Sequence, residues 1–286
     1  MDEATVIPAT PGRAAKLMYP VERSTARASE VNDLLRDDAY EPSNTRLRDM
    51  GITPELHDDI ASGRLVSMGQ VMFAENGGSI RTFSGKLPHE CGWYPSWKAK
   101  RTLHWEGIGA REFVIEGECN PMVDRVITEG IAFHVYLAPK WHTYTADADV
   151  RFGGRRHVVE IKRTERDLRD PEYRMVLAAV AEICRRCGWI FRIVLRDEIF
   201  TGRIHRENCH LFASRRFVHV SRASLLRLEA IAMSDGPDTT YGRLAAALAP
   251  GEAPLGRALV QALTVRRRVG IDLTARVHPR TPVRIL

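Results

Sequence analysis

Two acidic side chains and one ammonium stand near each other at mid-chain: Asp147, then Glu160-Ile161-Lys162, with Gly153-Gly154 between them. On a hairpin turned at the two glycines, Asp147 lies on the first strand. Glu160 and Lys162 lie on the second, two residues apart and so on one face. Two carboxylates and an ammonium at the end of a sheet suit phosphodiester hydrolysis. Asp147, Glu160 and the main-chain carbonyl of Ile161 offer hard oxygen ligands for Mg2+, or Mn2+ in its place. Such an ion polarises a phosphate and lowers the pKa of a bound water. Lys162 then orients that water or neutralises charge developing on the phosphoryl oxygens. The chain has only six lysines among forty-two basic residues, so one inside an apolar strand stands out. The same three residues also fit a buried ion pair, or an edge strand with solvated charges.

The elements around them read as follows. Arg156 to Lys162 is an apolar run, the pattern of a central buried strand. Thr143 to Phe152 forms the strand before it. Ile131 to Leu137 alternates, and Val126 to Ile127 is a short strand. Trp105 to Glu118 carries Trp105, Ile108, Phe113 and Ile115 on one helical face, weakened by Gly107 and Gly109. Asp167 to Cys187 is a helix with Val176, Leu177, Val180 and Ile183 at three- and four-residue steps and Gly188 as its stop. Trp189 to Leu195 is another strand. Helix, meander, helix and strand make an α/β fold with a mixed sheet. Residues 1–75 carry breakers at Pro8, Pro11 and Pro20 and short helical stretches at Ser29 to Leu35 and Pro54 to Ile60. Asn76-Gly77-Gly78 is a turn, and Arg81 to Lys86 is strand-like.

The chain has 286 residues, 44% hydrophobic and 27% charged, with net charge +6. That excludes wholesale disorder and a small disulfide scaffold. No run approaches the ~18 apolar residues of a membrane span. The acidic start Met1-Asp2-Glu3 and an odd five cysteines predict a cytoplasmic chain with reduced thiols and no membrane association. Charge is unevenly placed: from Thr201 onward there are fourteen arginines, no lysine and six acids. A basic module beside a near-neutral one suggests a polyanion such as DNA, or else a solvated arginine-rich surface. In this tail Arg222 to Met233, Tyr241 to Leu248 (capped by Thr239 or Thr240) and Pro254 to Thr264 are helical. Ile271 to Thr274 is strand-like. Helices followed by a β-ribbon are the pattern of a winged helix.

Five further features admit two readings or none of chemistry. Trp93-Tyr94-Pro95-Ser96-Trp97 beside Lys98, Lys100 and Arg101 either grips a nucleic-acid backbone or caps a core. Arg266-Arg267-Arg268 either binds phosphate or ends a helix in solvent. Cys184-x-x-Cys187 with Cys209-His210 is either a zinc site or plain thiols. His157 beside the acidic strand reads as structural. No phosphate-binding Gly-x-x-x-x-Gly-Lys-Ser/Thr loop is present.

From Arg81 to Phe212 the sequence resembles TnsA, the transposon end-cutting endonuclease family with a restriction-endonuclease-like PD-(D/E)xK fold. The resemblance lies in ordered blocks. Ser84-Gly85-Lys86 is followed by Arg101-Thr102-Leu103-His104-Trp105-Glu106, then Arg111-Glu112-Phe113 and Glu118-Cys119-Asn120-Pro121-Met122-Val123. Tyr144-Thr145-Ala146-Asp147-Ala148-Asp149-Val150 leads to Val158-Val159-Glu160-Ile161-Lys162. Ala181-Glu182 and Gly188-Trp189-Ile190-Phe191-Arg192 close the series.

The resemblance implies that Asp147, not Asp149, holds the metal-binding aspartate position, and that Glu160 and Lys162 hold the E-x-K positions. It puts a catalytic glutamate on the first helix, matched by Glu106 with Glu112 as fallback. The sequence departs from the family pattern at Ala110, Ala146 and Glu129-Gly130. The resemblance implies nicking of the 5′ strands at transposon ends, beside a DDE transposase (TnsB-like) and an AAA+ ATPase regulator (TnsC-like). Residues 1–75 are then an N-terminal extension, 76–200 the endonuclease domain and 201–286 a winged-helix-like domain that meets the partner machinery. The alternatives are a stand-alone PD-(D/E)xK nuclease of phage or defence origin and a non-catalytic DNA- or partner-binding adaptor.

Overall fold

The computed structural model of the chain describes residues 66–74, 78–80, 90–137 and 140–286, with residues 66–68 as backbone alone. The helices expected before residue 66, the start of the turn at Asn76-Gly77 and the strand expected at Arg81 to Lys86 lie outside the described residues. The elements make a mixed α/β structure. β1 (Val66–Phe73) is followed by a hairpin of β2 (Cys91–Ser96) and β3 (Arg101–Glu106), then by α1 (Gly107–Cys119). Strands β4 (Val123–Thr128), β5 (Ile131–Leu137), β6 (Lys140–Thr145), β7 (Ala148–Phe152) and β8 (Arg155–Lys162) come next. A 3-10 turn (Glu165–Leu168) leads to α2 (Pro171–Arg186) and β9 (Ile190–Leu195).

The sheet that positions the acidic residues runs β4-β7-β8-β9, antiparallel except for the parallel β8–β9 pair that α2 connects. A second sheet runs β1-β5-β6. The apolar run in β8 divides its side chains between two cores, as the two-residue strand period requires. Val158 packs with Phe133, Phe191, Ile193 and the Val176, Leu177 and Val180 face of α2. Val159 packs with Val114, Ile115, Val126 and Val194 on the α1 side. The sheet is thus covered by a helix on each face. Gly153 and Gly154, with φ of 55° and 81°, make the β7–β8 turn in a left-handed conformation that glycine adopts without strain.

Three expectations are corrected. Trp105 and Glu106 belong to β3, not to the helix, which starts at Gly107. The strand expected from Thr143 to Phe152 is broken at Ala146-Asp147, where pairing passes from β5 to β4 and β8. The helix expected from Asp167 begins at Pro171, with Asp170 as its N-cap accepting from Glu172 N at 2.9 Å.

After residue 200 come α3 (Arg203–Ser214), α4 (Arg222–Asp235), β10 (Asp238–Thr240), α5 (Tyr241–Leu248), α6 (Ala253–Val265), β11 (Val269–Ile271) and β12 (Pro282–Ile285). The last three strands form a sheet ordered β10-β12-β11. Thr240 caps α5, its hydroxyl accepting from Arg243 N. Helix α3 packs on both α1 and α6. One apolar cluster accordingly runs from Val114 and Ile115 through Phe212 to Leu263 and Ile271. No helix among the described residues is long and apolar enough to cross a membrane.

Candidate active site

A pocket of about 250 Å3 opens where β3, α1, β4, the β6–β7 break and the end of β8 meet. Glu106, Asp147, Ile161 and Lys162 line it, together with His104, Thr128 and Glu129.

Each side chain arrives there for a local reason. Glu106 is the last residue of β3. Gly107, at φ 78°, turns the chain directly into α1. Glu106 occupies the N-cap position yet makes no capping hydrogen bond. A β-carbon at Gly109 would come within 3.1 Å of Ile161 Cγ2, so glycine lets the first turn of α1 lie against β8. Asp147 sits in the break between β6 and β7. Its Oδ2 accepts from Ile161 N at 2.6 Å, and its carbonyl accepts from Glu129 N at 3.1 Å. Asp147 is thereby tied to the strands on both sides.

Lys162 and Glu160 share a face, as their spacing predicts, with Lys162 Nζ 2.6 Å from Glu160 Oε1. They part from there. Lys162 is 22% exposed and its ammonium lies 4.7 Å above the Tyr173 ring. Glu160 is 3% exposed and does not line the pocket. Its Oε1 also accepts from Tyr173 OH at 2.6 Å, and its Oε2 accepts from Tyr144 OH. Burial, and then the Glu160 carboxylate, push the Tyr144 phenol well above its usual pKa.

The two candidates for the first glutamate separate clearly. Glu106 lines the pocket; Glu112 does not. Glu112 is bonded to Arg206 at 3.0 Å, His210 at 2.7 Å and Arg111 at 3.1 Å, which ties α1 to α3. Burial pushes its carboxyl up, but the hydrogen bonds from His210, Arg206 and Arg111 outweigh it and hold the pKa below the usual range. Asp149 is buried and paired with Arg156 at 3.0 Å, in keeping with Asp147 rather than Asp149 at the pocket.

Two residues that line the pocket, Glu129 and His104, are not among the site residues that the sequence nominates. Glu129 is buried with φ at 50°, accepts from Ser79 Oγ at 3.0 Å and lies 3.6 Å from His104 Nδ1. In the sequence it shows only within Glu129-Gly130, where the chain departs from the pattern of the family it resembles. A left-handed backbone at a non-glycine residue stores strain, and such strain clusters at functional sites.

Other sequence candidates are consumed by the protein itself. Arg266 donates to Val218 O at 2.6 Å and covers Trp97 at 4.0 Å; Lys100 lies 3.7 Å from the same ring. Arg267 binds Pro121 O and Asp124, and Arg268 binds Glu229 at 3.2 Å. Arg266 and Arg267 thus fasten the C-terminal elements to the rest of the chain, and Arg268 ties the C-terminal elements to one another. His157 is buried, and that burial, followed by Arg192 and Arg155, lowers its pKa to about 3. None of the five cysteines is in a disulfide; Cys184 is buried and Cys187 exposed. Among the described residues no three His, Cys, Asp or Glu side chains form a ready metal cluster. No protein-family model matches the chain, and no curated protein matches it.

Proposed function

We propose that this chain is a Mg2+-dependent DNA endonuclease of the TnsA type, nicking the 5′ strands at transposon ends beside a DDE transposase and an AAA+ regulator. One observation carries the reading: Glu106, Asp147 and Lys162, drawn from three separate segments of the chain, line a single pocket. The mixed order β4-β7-β8-β9 with α2 between the parallel strands supports a restriction-endonuclease-like sheet. The order β10-β12-β11 beneath α4, α5 and α6 supports a winged-helix-like unit.

The donor set fits Mg2+. This ion takes one or two carboxylates and completes its shell with water and phosphate oxygens, so it needs no cluster of three side chains. Asp147 and Glu106 are the carboxylates that would hold it, with Ile161 at the same wall. When bound, Mg2+ supplies charge on the phosphate and an acidified water. Lys162 lines the same pocket, and its ammonium, held by Glu160, is the cation that would meet negative charge growing on the phosphoryl oxygens. Glu160, held by two phenols and Lys162, serves here as the residue that fixes that ammonium. In α6 the half from Leu259 to Val265 is buried, while Ala253 to Leu255 and Arg257 at its N-terminal end are exposed.

The test is an excision assay with the transposase and ATPase gene products. Asp147→Ala and Lys162→Ala are expected to lower 5′ nicking by about 10²–10³-fold while partner association persists, and EDTA to abolish nicking. Nicking by both variants at the wild-type rate would overturn the catalytic assignment. The saturated Glu160 favours a second reading, a non-catalytic adaptor. Partner and DNA binding with no Mg2+-dependent nicking by the wild type would establish it.

A further inference from the structure

Resting on the nuclease reading above, we propose that Trp93 is a stacking platform for a nucleobase, so that the pocket takes a DNA strand whose base beside the cut phosphate is unstacked. Trp93 is 62% exposed, whereas the next residue, Tyr94, is buried on the opposite face of the hairpin. In the β2–β3 register Trp93 pairs with His104 and Cys91 with Glu106. Trp93, His104 and Glu106 therefore share one face of the ribbon, and the last two line the pocket. The Trp93 and His104 rings meet edge to face, with centroids 5.1 Å apart and planes at 62°. The imidazole thus braces the indole at the pocket rim, and most of the indole remains in water.

Isolated surface hydrophobes are ordinary, so position rather than exposure carries the inference. Of the other two tryptophans of this hairpin, Trp97 is covered by Arg266 and Lys100, and Trp105 lines the pocket with its indole packed across Gly92 and under Arg111. Trp93 is left beside the acidic wall. The pocket, at about 250 Å3, falls below the roughly 300–1,000 Å3 of common ligand sites. A volume of that size suits a phosphodiester and its sugar rather than a base as well. The neighbouring base must then lie outside it, and an indole at the rim offers the π-face that single-strand binders use. Arg163, exposed and adjacent to Lys162, supplies a cation for the strand backbone.

The experiment uses the full chain in Ca2+ with a single-stranded oligonucleotide carrying 2-aminopurine at successive positions. Wild type is expected to quench the probe at one position. Trp93→Ala is expected to lose that quench and bind about tenfold more weakly, with Trp93→Phe in between. An abasic site at that position should bring wild type and Trp93→Ala to equal affinity, which a merely structural role of the indole would not do. The inference is overturned if Trp93→Ala binds and quenches like wild type, if its loss persists on the abasic strand, or if wild type binds no strand. Nicking is scored separately with the partner proteins. Intact Mg2+-dependent nicking without quenching removes only the platform; quenching without nicking by wild type removes only the nuclease reading.

Discussion

The two ends of α1 carry similar residues and use them differently. At the N-terminal end Glu106 stands at a pocket with Asp147 and Lys162. At the C-terminal end Glu116, Glu118 and Lys98 are closed in. Glu118 accepts from Ser96 Oγ at 2.6 Å, Trp97 N at 3.0 Å and Lys98 N at 2.9 Å, which locks the β2–β3 turn onto the helix. The Lys98 ammonium donates to Gly117 O in the last turn of α1 and to Asn120 O at its C-cap, where a cation suits the helix dipole. Burial lowers its pKa to about 8 and raises that of Glu116 to about 6. A carboxylate saturated by protein donors builds the fold; one beside unfilled space is available for chemistry.

The sharpest break between the two ends comes from matched substitutions. Glu106→Gln is expected to lower nicking by about 10²–10³-fold and to leave stability within about 0.5 kcal/mol. Glu118→Ala leaves a hydroxyl and two backbone N–H groups without their acceptor and is expected to cost about 3 kcal/mol or more. Nicking assays and denaturant midpoints check both; equal destabilisation by the two would erase the contrast.

A smaller effect is a pH dependence of the closed end. Glu116 has a folded pKa of about 6 against an ordinary 4.5. Its contribution is therefore greatest below pH 4.5 and is lost as pH rises through about 6. Glu116→Gln is expected to remove that slope and to stabilise the chain at pH 7 by about 1–2 kcal/mol, seen as a difference curve against wild type. The smallest effect is at Arg266. Arg266→Ala should cost about 1 kcal/mol from its Trp97 contact and leave the salt dependence of DNA binding unchanged. A slope reduced by about one would instead make it a phosphate ligand.

Much of the sheet is legible from local pattern. The apolar run at Val158-Val159, the Gly153-Gly154 turn, the α2 periodicity stopped by Gly188, and Thr240 before α5 all appear in the sequence and in the structure. Other elements escape it for physical reasons. The Trp105 and Ile108 spacing imitates a helical face, yet Trp105 lies across Gly92 of the neighbouring strand, where a β-carbon would come 2.6 Å from the indole. The break at Ala146-Asp147 reflects a change of pairing partner, which no local period encodes. Helix α3 reads as polar because only His205, Cys209, Phe212 and Ala213 of its twelve residues are buried.

The amino-acid order alone sets residue period and charge: Glu160 and Lys162 on one side of a strand, Val158 and Val159 on opposite sides, arginine gathered after residue 200. Which charges remain available depends on the packed chain. Donors from Tyr144 and Tyr173 close Glu160, and Arg206 and His210, ninety-four and ninety-eight residues away, close Glu112. Saturating a carboxylate takes groups brought together by folding, so spacing nominates the acids and long-range packing selects among them.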